Sequence, residues 1–311
     1  MRVTGTRFAR GQDAVTEWAF STGWRLVKRL PESAAHAAFR QAADAMWWRE
    51  GPSVMQLQRN LQRARPGLSR TELRHLSREG LRSYLRYWCD AFRLPAWPLE
   101  RISGSFDLRG REVMDEAVRT GTGAIMVPGH MANWDLAGAW AALRYGSVVT
   151  VAERLKPEGL FEQFLDYRRG LGMEVLGLGE PDILRTLARR LNEGKVVALL
   201  GDRDISRNGI EVNLLGEPAS LPAGPALLSI LTGAPLYPVG MWFEGAGMAG
   251  QVGSRIEVPE GLPRSEQVRT MTAALADSLG ASILERPVAW HMLQPVWVAD
   301  LDPNRRQARK P

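Results

Sequence analysis

Apolar residues 124–127 lead straight into Gly129-His130-Met131-Ala132-Asn133-Trp134-Asp135. An imidazole where a strand ends, followed by a carboxylate, is the equipment of a base that activates a hydroxyl. The chain holds only four histidines, so few other candidates exist. Five residues of regular helix turn through about 500°, so positions 130 and 135 do not share a helical face. A turn must intervene, with His130 in the loop and Asp135 in the first turn of a helix capped by Asn133. From there Asp135 is expected to accept a hydrogen bond from one ring nitrogen, leaving the other to take a proton. The plainer alternative is a structural histidine with an acid nearby by chance.

A second cluster is Gly201-Asp202-Arg203-Asp204-Ile205-Ser206-Arg207-Asn208-Gly209, after the apolar run at 196–200. Clustered carboxylates and arginines are not comfortable in a core. Asp202 is a second candidate to orient His130, and Arg203 and Arg207 are candidates to hold phosphates. A surface loop of self-compensating charge is the alternative. Glu153 and Arg154 follow another apolar run, with Arg168 and Arg169 on the helix beyond it. They read either as polar contacts for a substrate or as structural ion pairs. Leu221-Pro222-Ala223-Gly224-Pro225-Ala226 opens a helix whose free N–H groups are suited to an anion, or it is a plain helix start.

Several chemistries lack their signatures. There is no G-x-S-x-G elbow, no P-loop and no dinucleotide-binding glycine pattern. No Cys/His cluster has metal spacing, so no metal is expected. The single cysteine, Cys89, excludes an internal disulfide framework and reads as a buried thiol. Residues 1–20 show no signal-peptide core, and no run of about 18 apolar residues suggests a membrane span.

The elements that must position these residues alternate after about residue 110. Strands are expected at 124–127, 147–152, 174–178, 196–201, 236–243 and 254–258. Helices are expected at 111–120, 133–143, 157–171, 181–192, 221–232 and 265–284. The pattern is α/β: a mainly parallel sheet flanked by helices on both faces, with an N-terminal helical region. In such sheets chemistry collects at the carboxyl ends of strands, where both His130 and Asp202 fall. N-terminal helices are expected at 13–30, 34–49, 54–63 and 70–92. The expected division is a basic helical, membrane-facing region at 1–110, an α/β core at 111–300 and a polar tail at 301–311.

Charge is uneven along these 311 residues. The first 100 hold 17 Lys+Arg against 9 Asp+Glu, and the remainder 23 against 25. All the net positive charge is therefore N-terminal, where Trp18, Phe20, Trp24, Trp47 and Trp48 also lie. Such asymmetry suits an anionic partner: a membrane surface, an acidic substrate or nucleic acid.

At these residues the chain resembles a known family. His130-x4-Asp135 is similar to the signature of the lysophospholipid acyltransferase superfamily. The nearer resemblance is to the phosphatidylinositol mannoside acyltransferases, relatives of the lipid A lauroyl acyltransferases. It is carried by Arg86-Tyr87-Trp88, Ala91-Phe92-Arg93-Leu94-Pro95 and Asn133-Trp134-Asp135. The stretch from Thr150 to Glu158, Pro222-Ala223-Gly224-Pro225-Ala226 and Trp290-His291-Met292-Leu293-Gln294-Pro295 match as well. The resemblance spans roughly residues 15–300.

The resemblance implies transfer of a fatty acyl group, palmitoyl for instance, from acyl-CoA to a mannose hydroxyl of a phosphatidylinositol mannoside. His130 is then the base and Asp135 supports it. A further acid follows the strand that ends at Gly201. It is Glu in relatives and Asp202 here, one methylene shorter, so its reach to His130 is open and Asp204 is a second candidate. Glu153 and Arg168 match polar residues of the family's groove, and Arg203, Arg207 and Asn208 lie toward the CoA moiety. Acyl-CoA is a co-substrate and no resident cofactor is implied. The partners expected are an anionic glycolipid acceptor and an anionic membrane surface, with no nucleic acid. The expected state is a monomer, peripheral on the cytoplasmic face of the cell membrane. The alternatives are the same fold acting on a lysophospholipid or another glycolipid, and a non-catalytic lipid-binding protein.

Overall fold

Proline and glycine cut the basic N-terminal third into separate helices. The structure, a computed structural model, describes residues 26–154, 157–206 and 208–301. Most of the helix expected at 13–30 therefore lies outside the described residues, as do Arg207 and the tail beyond 301. Helix α1 (Glu32–Trp48) starts directly after Pro31. Helix α2 (Pro52–Ala64) follows Gly51 with proline in its first turn, where no N–H is missed. Helix α3 (Arg70–Arg93) opens on a capping box in which Ser69 and Glu72 exchange backbone and side-chain bonds.

Fully buried Ala35 and Ala43 keep the inner face of α1 small, and α1 lies along α3. The Trp47 indole donates to Ser77 Oγ at 3.0 Å. Asp44 accepts from Arg78 at 2.9 and 2.8 Å and from Arg82 at 2.7 and 2.6 Å. Leu57 and Leu61 of α2 complete this cluster with Leu81. Of the paired tryptophans, Trp47 is core and Trp48 is 71% exposed. Among the described residues no helix is long and apolar enough to cross a membrane.

After α4 (Leu99–Gly104) the chain enters the sheet. In order come β1 (Phe106–Arg109), α5 (Glu112–Arg119), β2 (Ala124–Pro128), α6 (Trp134–Tyr145), β3 (Val148–Ala152) and α7 (Glu158–Gly170). Next are β4 (Met173–Gly177), α8 (Ile183–Asn192), β5 (Val196–Ala198), β6 (Ile210–Leu214), β7 (Glu217–Leu221) and α9 (Gly224–Thr232). Last are β8 (Leu236–Glu244), β9 (Gly247–Val252) and α10 (Arg264–Glu285). Seven strands form one sheet in the order β1-β9-β8-β2-β5-β3-β4, and β6 and β7 form a separate hairpin. Every pairing in the large sheet is parallel except β8 with β9. The expected α/β fold, mainly parallel and covered on both faces, is the fold observed.

Alternation along β2 shows why the run 124–127 is apolar throughout. Ala124 and Met126 pack on one face with Leu136 and Trp140 of α6. Ile125 and Val127 pack on the other with Leu191 of α8, Leu228 of α9 and Leu275 of α10. A strand covered on both faces has no polar side to show.

The last third departs from expectation. The strand expected at 254–258 is only an isolated bridge from Ile256 to Leu236, and the far side of β8 is paired instead by β9, with β1 beyond it at the edge. Glycines at 245, 247, 250 and 253 disguise β9, yet Gly245, at φ +55°, makes the tight turn that joins it to β8. The β6–β7 hairpin was not expected either; its turn, Leu215-Gly216, has positive φ at both residues. Leu221 ends β7, so the helix expected from that residue starts at Gly224. The strand expected through 201 ends at Ala198, although Leu199 and Gly201 still donate to Met126 and Pro128 of β2 at 2.9 Å.

Asp44 gives a pH dependence. Hydrogen bonds from Arg82 and Arg78 hold its carboxyl far below the ordinary range, outweighing the opposing effect of burial. A depressed folded value adds stability that is complete above the unfolded carboxylate value, about 3.9, and is lost as pH falls toward the folded one. Thermal melts should therefore show Asp44→Asn less stable than wild type at pH 7, with the gap narrowing below about pH 4. A gap that is constant with pH would contradict this.

Candidate active site

The carboxyl ends of β2 and β5 lie side by side, and the residues just past them meet. Two glycines make this possible. A Cβ at Gly129 would stand 3.2 Å from Asp202 Oδ2, and one at Gly201 would fall 2.2 Å from Val127 Cγ1. The first position leaves room for the carboxylate, and the second lets the β5 chain run tight against β2.

Asp202 has no exposed surface. Its Oδ1 lies 2.6 Å from His130 Nδ1. Its Oδ2 accepts from the His130 backbone N–H and from the Trp290 indole N–H, both at 2.8 Å. Burial pushes the carboxyl up, but the His130 imidazole and the donors from His130 and Trp290 outweigh it and leave it below the ordinary carboxylate range. An ionised carboxylate only accepts, so Nδ1 carries the proton. Nε2 is the ring nitrogen left with a lone pair, which is the tautomer of a base.

The shorter acid therefore does reach. Asp202 hydrogen-bonds the imidazole directly, and Asp204 is engaged elsewhere. Asp204 accepts from Ser206 N and Oγ, from Gly209 N and from Ser220 Oγ, which folds its loop onto β7.

Asp135 is where sequence reasoning needs correction. It sits in the first turn of α6, as expected, with Asn133 capping through a 2.9 Å bond from Leu136 N–H. Its partners, however, are Arg168 Nε at 2.7 Å and Tyr87 Oη at 2.8 Å, not the imidazole. The helix turns the carboxylate toward α3 and α7, away from the ring. Burial works against the Arg168 charge, but Asp135 and Tyr87 more than offset it and the guanidinium stays protonated. The Tyr87 ring stacks on Trp134 at 4.0 Å, fixing this buried group under the loop.

His130, Trp134 and Arg168 line a cavity of about 570 Å³. Its inner walls are apolar, with Phe161 and Phe164 of α7, Leu184 and Leu187 of α8 and Leu227 and Leu228 of α9. Its rim carries Glu153, Arg203, Ser206 and Asn208. Arg203 Nη1 stands 3.8 Å from Glu153 Oε2, a loose contact that leaves both groups available to a ligand. A second, smaller cavity of about 90 Å³ shares Trp134, Val151, Arg168 and Leu200 with the first. It runs between the sheet and α6 among Met126, Trp140 and Met241. Pro222 to Pro225 at the start of α9 line the larger cavity. Arg154 and Arg169 form exposed pairs with Glu158 and Asp166, as solvated charges do.

Two important residues were not singled out from sequence. Trp290 belongs to a segment that clamps the His130 loop: Met131 bridges Trp290, His291 N–H donates to His130 O at 2.8 Å and Ala132 N–H to Ala289 O at 3.0 Å. Tyr87 entered only within Arg86-Tyr87-Trp88, a stretch that carries the resemblance, with no role of its own. Neither role is written in local spacing, because both partners lie far away in the chain. Burial and the nearby His130 push the His291 imidazole down to about 3, and its Nε2 lies 2.8 Å from Ser83 Oγ.

Asp135→Asn would leave the Arg168 guanidinium buried without a counter-charge. Denaturant unfolding should show a loss of about 3–5 kcal/mol, and a loss under about 1 kcal/mol would mean that water or another acid takes over.

Residues 6–298 match the family described as bacterial lipid A biosynthesis acyltransferase. The phosphatidylinositol mannoside acyltransferase of Mycolicibacterium smegmatis is 42% identical over 294 residues, 94% of each chain. The protein of the same name from Mycobacterium tuberculosis is 41% identical over 295 residues, 94% of this chain and 91% of the relative. The chain belongs to the bacterial lipid A biosynthesis acyltransferase family.

Proposed function

We propose that the protein transfers a fatty acyl group, palmitoyl in particular, from acyl-CoA to a mannose hydroxyl of a phosphatidylinositol mannoside. The observation that carries this reading is the buried Asp202–His130 pair, whose free ring nitrogen lies at a cavity with apolar walls and a polar rim. The names of the relatives support the acceptor.

A sugar hydroxyl is a poor nucleophile at neutral pH, so His130 Nε2 takes its proton as the oxygen attacks the thioester carbonyl. Asp202 stabilises the imidazolium that forms. The tetrahedral intermediate bears an oxyanion, and the buried Arg168 guanidinium is a cation on the wall of the same cavity. Collapse breaks the C–S bond, the thiolate leaves, and the imidazolium returns the proton to it. A thioester is already activated, so no acyl-enzyme and no resident cofactor is needed. The two cavities share the Trp134–Arg168 edge, which suits an acyl chain entering the apolar space while polar groups stay at the rim with Glu153, Arg203 and Asn208. The exposed Lys28, Arg29, Arg40 and Arg49 suit docking on the anionic cytoplasmic face of a membrane, where the acceptor lipid resides.

CoA release from palmitoyl-CoA tests this directly. Release should require a phosphatidylinositol mannoside and fall by about 10²–10⁴ in His130→Ala. Release with a lysophospholipid but not with the mannoside would move the acceptor. Release without any acceptor would mark a thioesterase and overturn the reading.

A further inference from the structure

We propose that Trp290 is a positioning residue for the base: its indole N–H aims the Asp202 carboxylate at His130 and shares the charge of that carboxylate with the ring N–H. The inference rests on the reading of His130 as the base.

Asp202 takes part in three hydrogen bonds. Two come from His130 itself, through its backbone N–H and Nδ1. These two bonds tie the carboxylate only to the His130 loop. The Trp290 bond to Oδ2, at 2.8 Å, comes from outside the loop and anchors the carboxylate. Trp290 is fixed in turn. It has no exposed surface, its ring packs edge-on against Trp297 at 5.9 Å, and its backbone is bridged to Met131. With Oδ2 held by two donors, Oδ1 has one direction left, toward Nδ1.

The indole also acts on charge. No Lys or Arg side chain bonds to Asp202 among the described residues. Arg168 of α7 is paired with Asp135 of α6, which Tyr87 of α3 also contacts. Arg203 faces Glu153 across the cleft, Asp204 is turned to its own loop, and His291 is bonded to Ser83. Partial charge on the indole and amide N–H groups must therefore balance the buried carboxylate. Removing the indole donor leaves the carboxylate charge less compensated. It then attracts the ring proton more strongly, and the base is protonated up to a higher pH.

The test replaces Trp290 with 3-benzothienylalanine, which keeps the ring shape and has sulfur in place of N–H, beside Trp290→Phe. Three readings on the folded isostere are expected to move. The kcat for acyl transfer falls about tenfold with KM unchanged. The acid limb of the rate profile moves up by about half a pH unit. In the resting protein, the downfield NMR resonance of the His130 Nδ1 proton shifts. That last reading needs no substrate, so it tests the anchoring even if the acceptor has been misidentified. An isostere with wild-type kcat, acid limb and ring-proton resonance would reduce Trp290 to packing and overturn the proposal, whatever Trp290→Phe does to stability.

Discussion

A carboxylate with no contact to water must be satisfied wholly by the protein around it. Asp202 imposes that demand on the site. The His130 loop, the close approach of β5 to β2 and the C-terminal segment that carries Trp290 all meet at its two oxygens. Gly129 and Gly201 are glycines because side chains there would fill the space this meeting needs. Satisfying the acid also fixes the ring, since the bond at Nδ1 selects the tautomer with Nε2 free. Folding and the tautomer of the ring thus depend on the same few atoms.

The sheet explains why the meeting happens where it does. β2 and β5 are adjacent parallel strands although more than 60 residues of chain lie between them. Parallel neighbours bring their carboxyl ends to the same edge, and their following loops have nowhere else to go. The cavity opens there, with helices α7, α8 and α9 supplying apolar walls. Asp135 serves the same edge in a different way. By pairing Arg168 inside the protein it holds a guanidinium on the wall of the cavity that His130 also lines.

Much of this was legible in the sequence, for identifiable reasons. A strand buried on both faces reads as an unbroken apolar run, so β2 stands out, and the Pro-Gly-His step after it marks the loop. Helices with Pro and Gly boundaries came within a few residues of expectation. The strands that went unseen lack such a signature: β1 is four residues that alternate buried and exposed, β9 is rich in glycine, β6 alternates and β7 carries a proline. The sites show a similar division. His130 and Asp202 were visible as polar groups at strand ends. The assignment of Asp135 to the ring erred because a helix turn aims a side chain by its tertiary surroundings, here Tyr87 and Arg168, not by distance along the chain. Trp290 lies 88 residues from its partner, beyond any spacing rule.

The central claim is that His130 and Asp202 work as one unit in proton transfer. The most direct measurement is acceptor-dependent CoA release by His130→Ala, Asp202→Asn and the double variant. If the acid acts only through the ring, the double variant will be no slower than His130→Ala, because residues acting as a unit are not additive. Losses that multiply in the double variant would contradict the account and give Asp202 a role independent of the histidine.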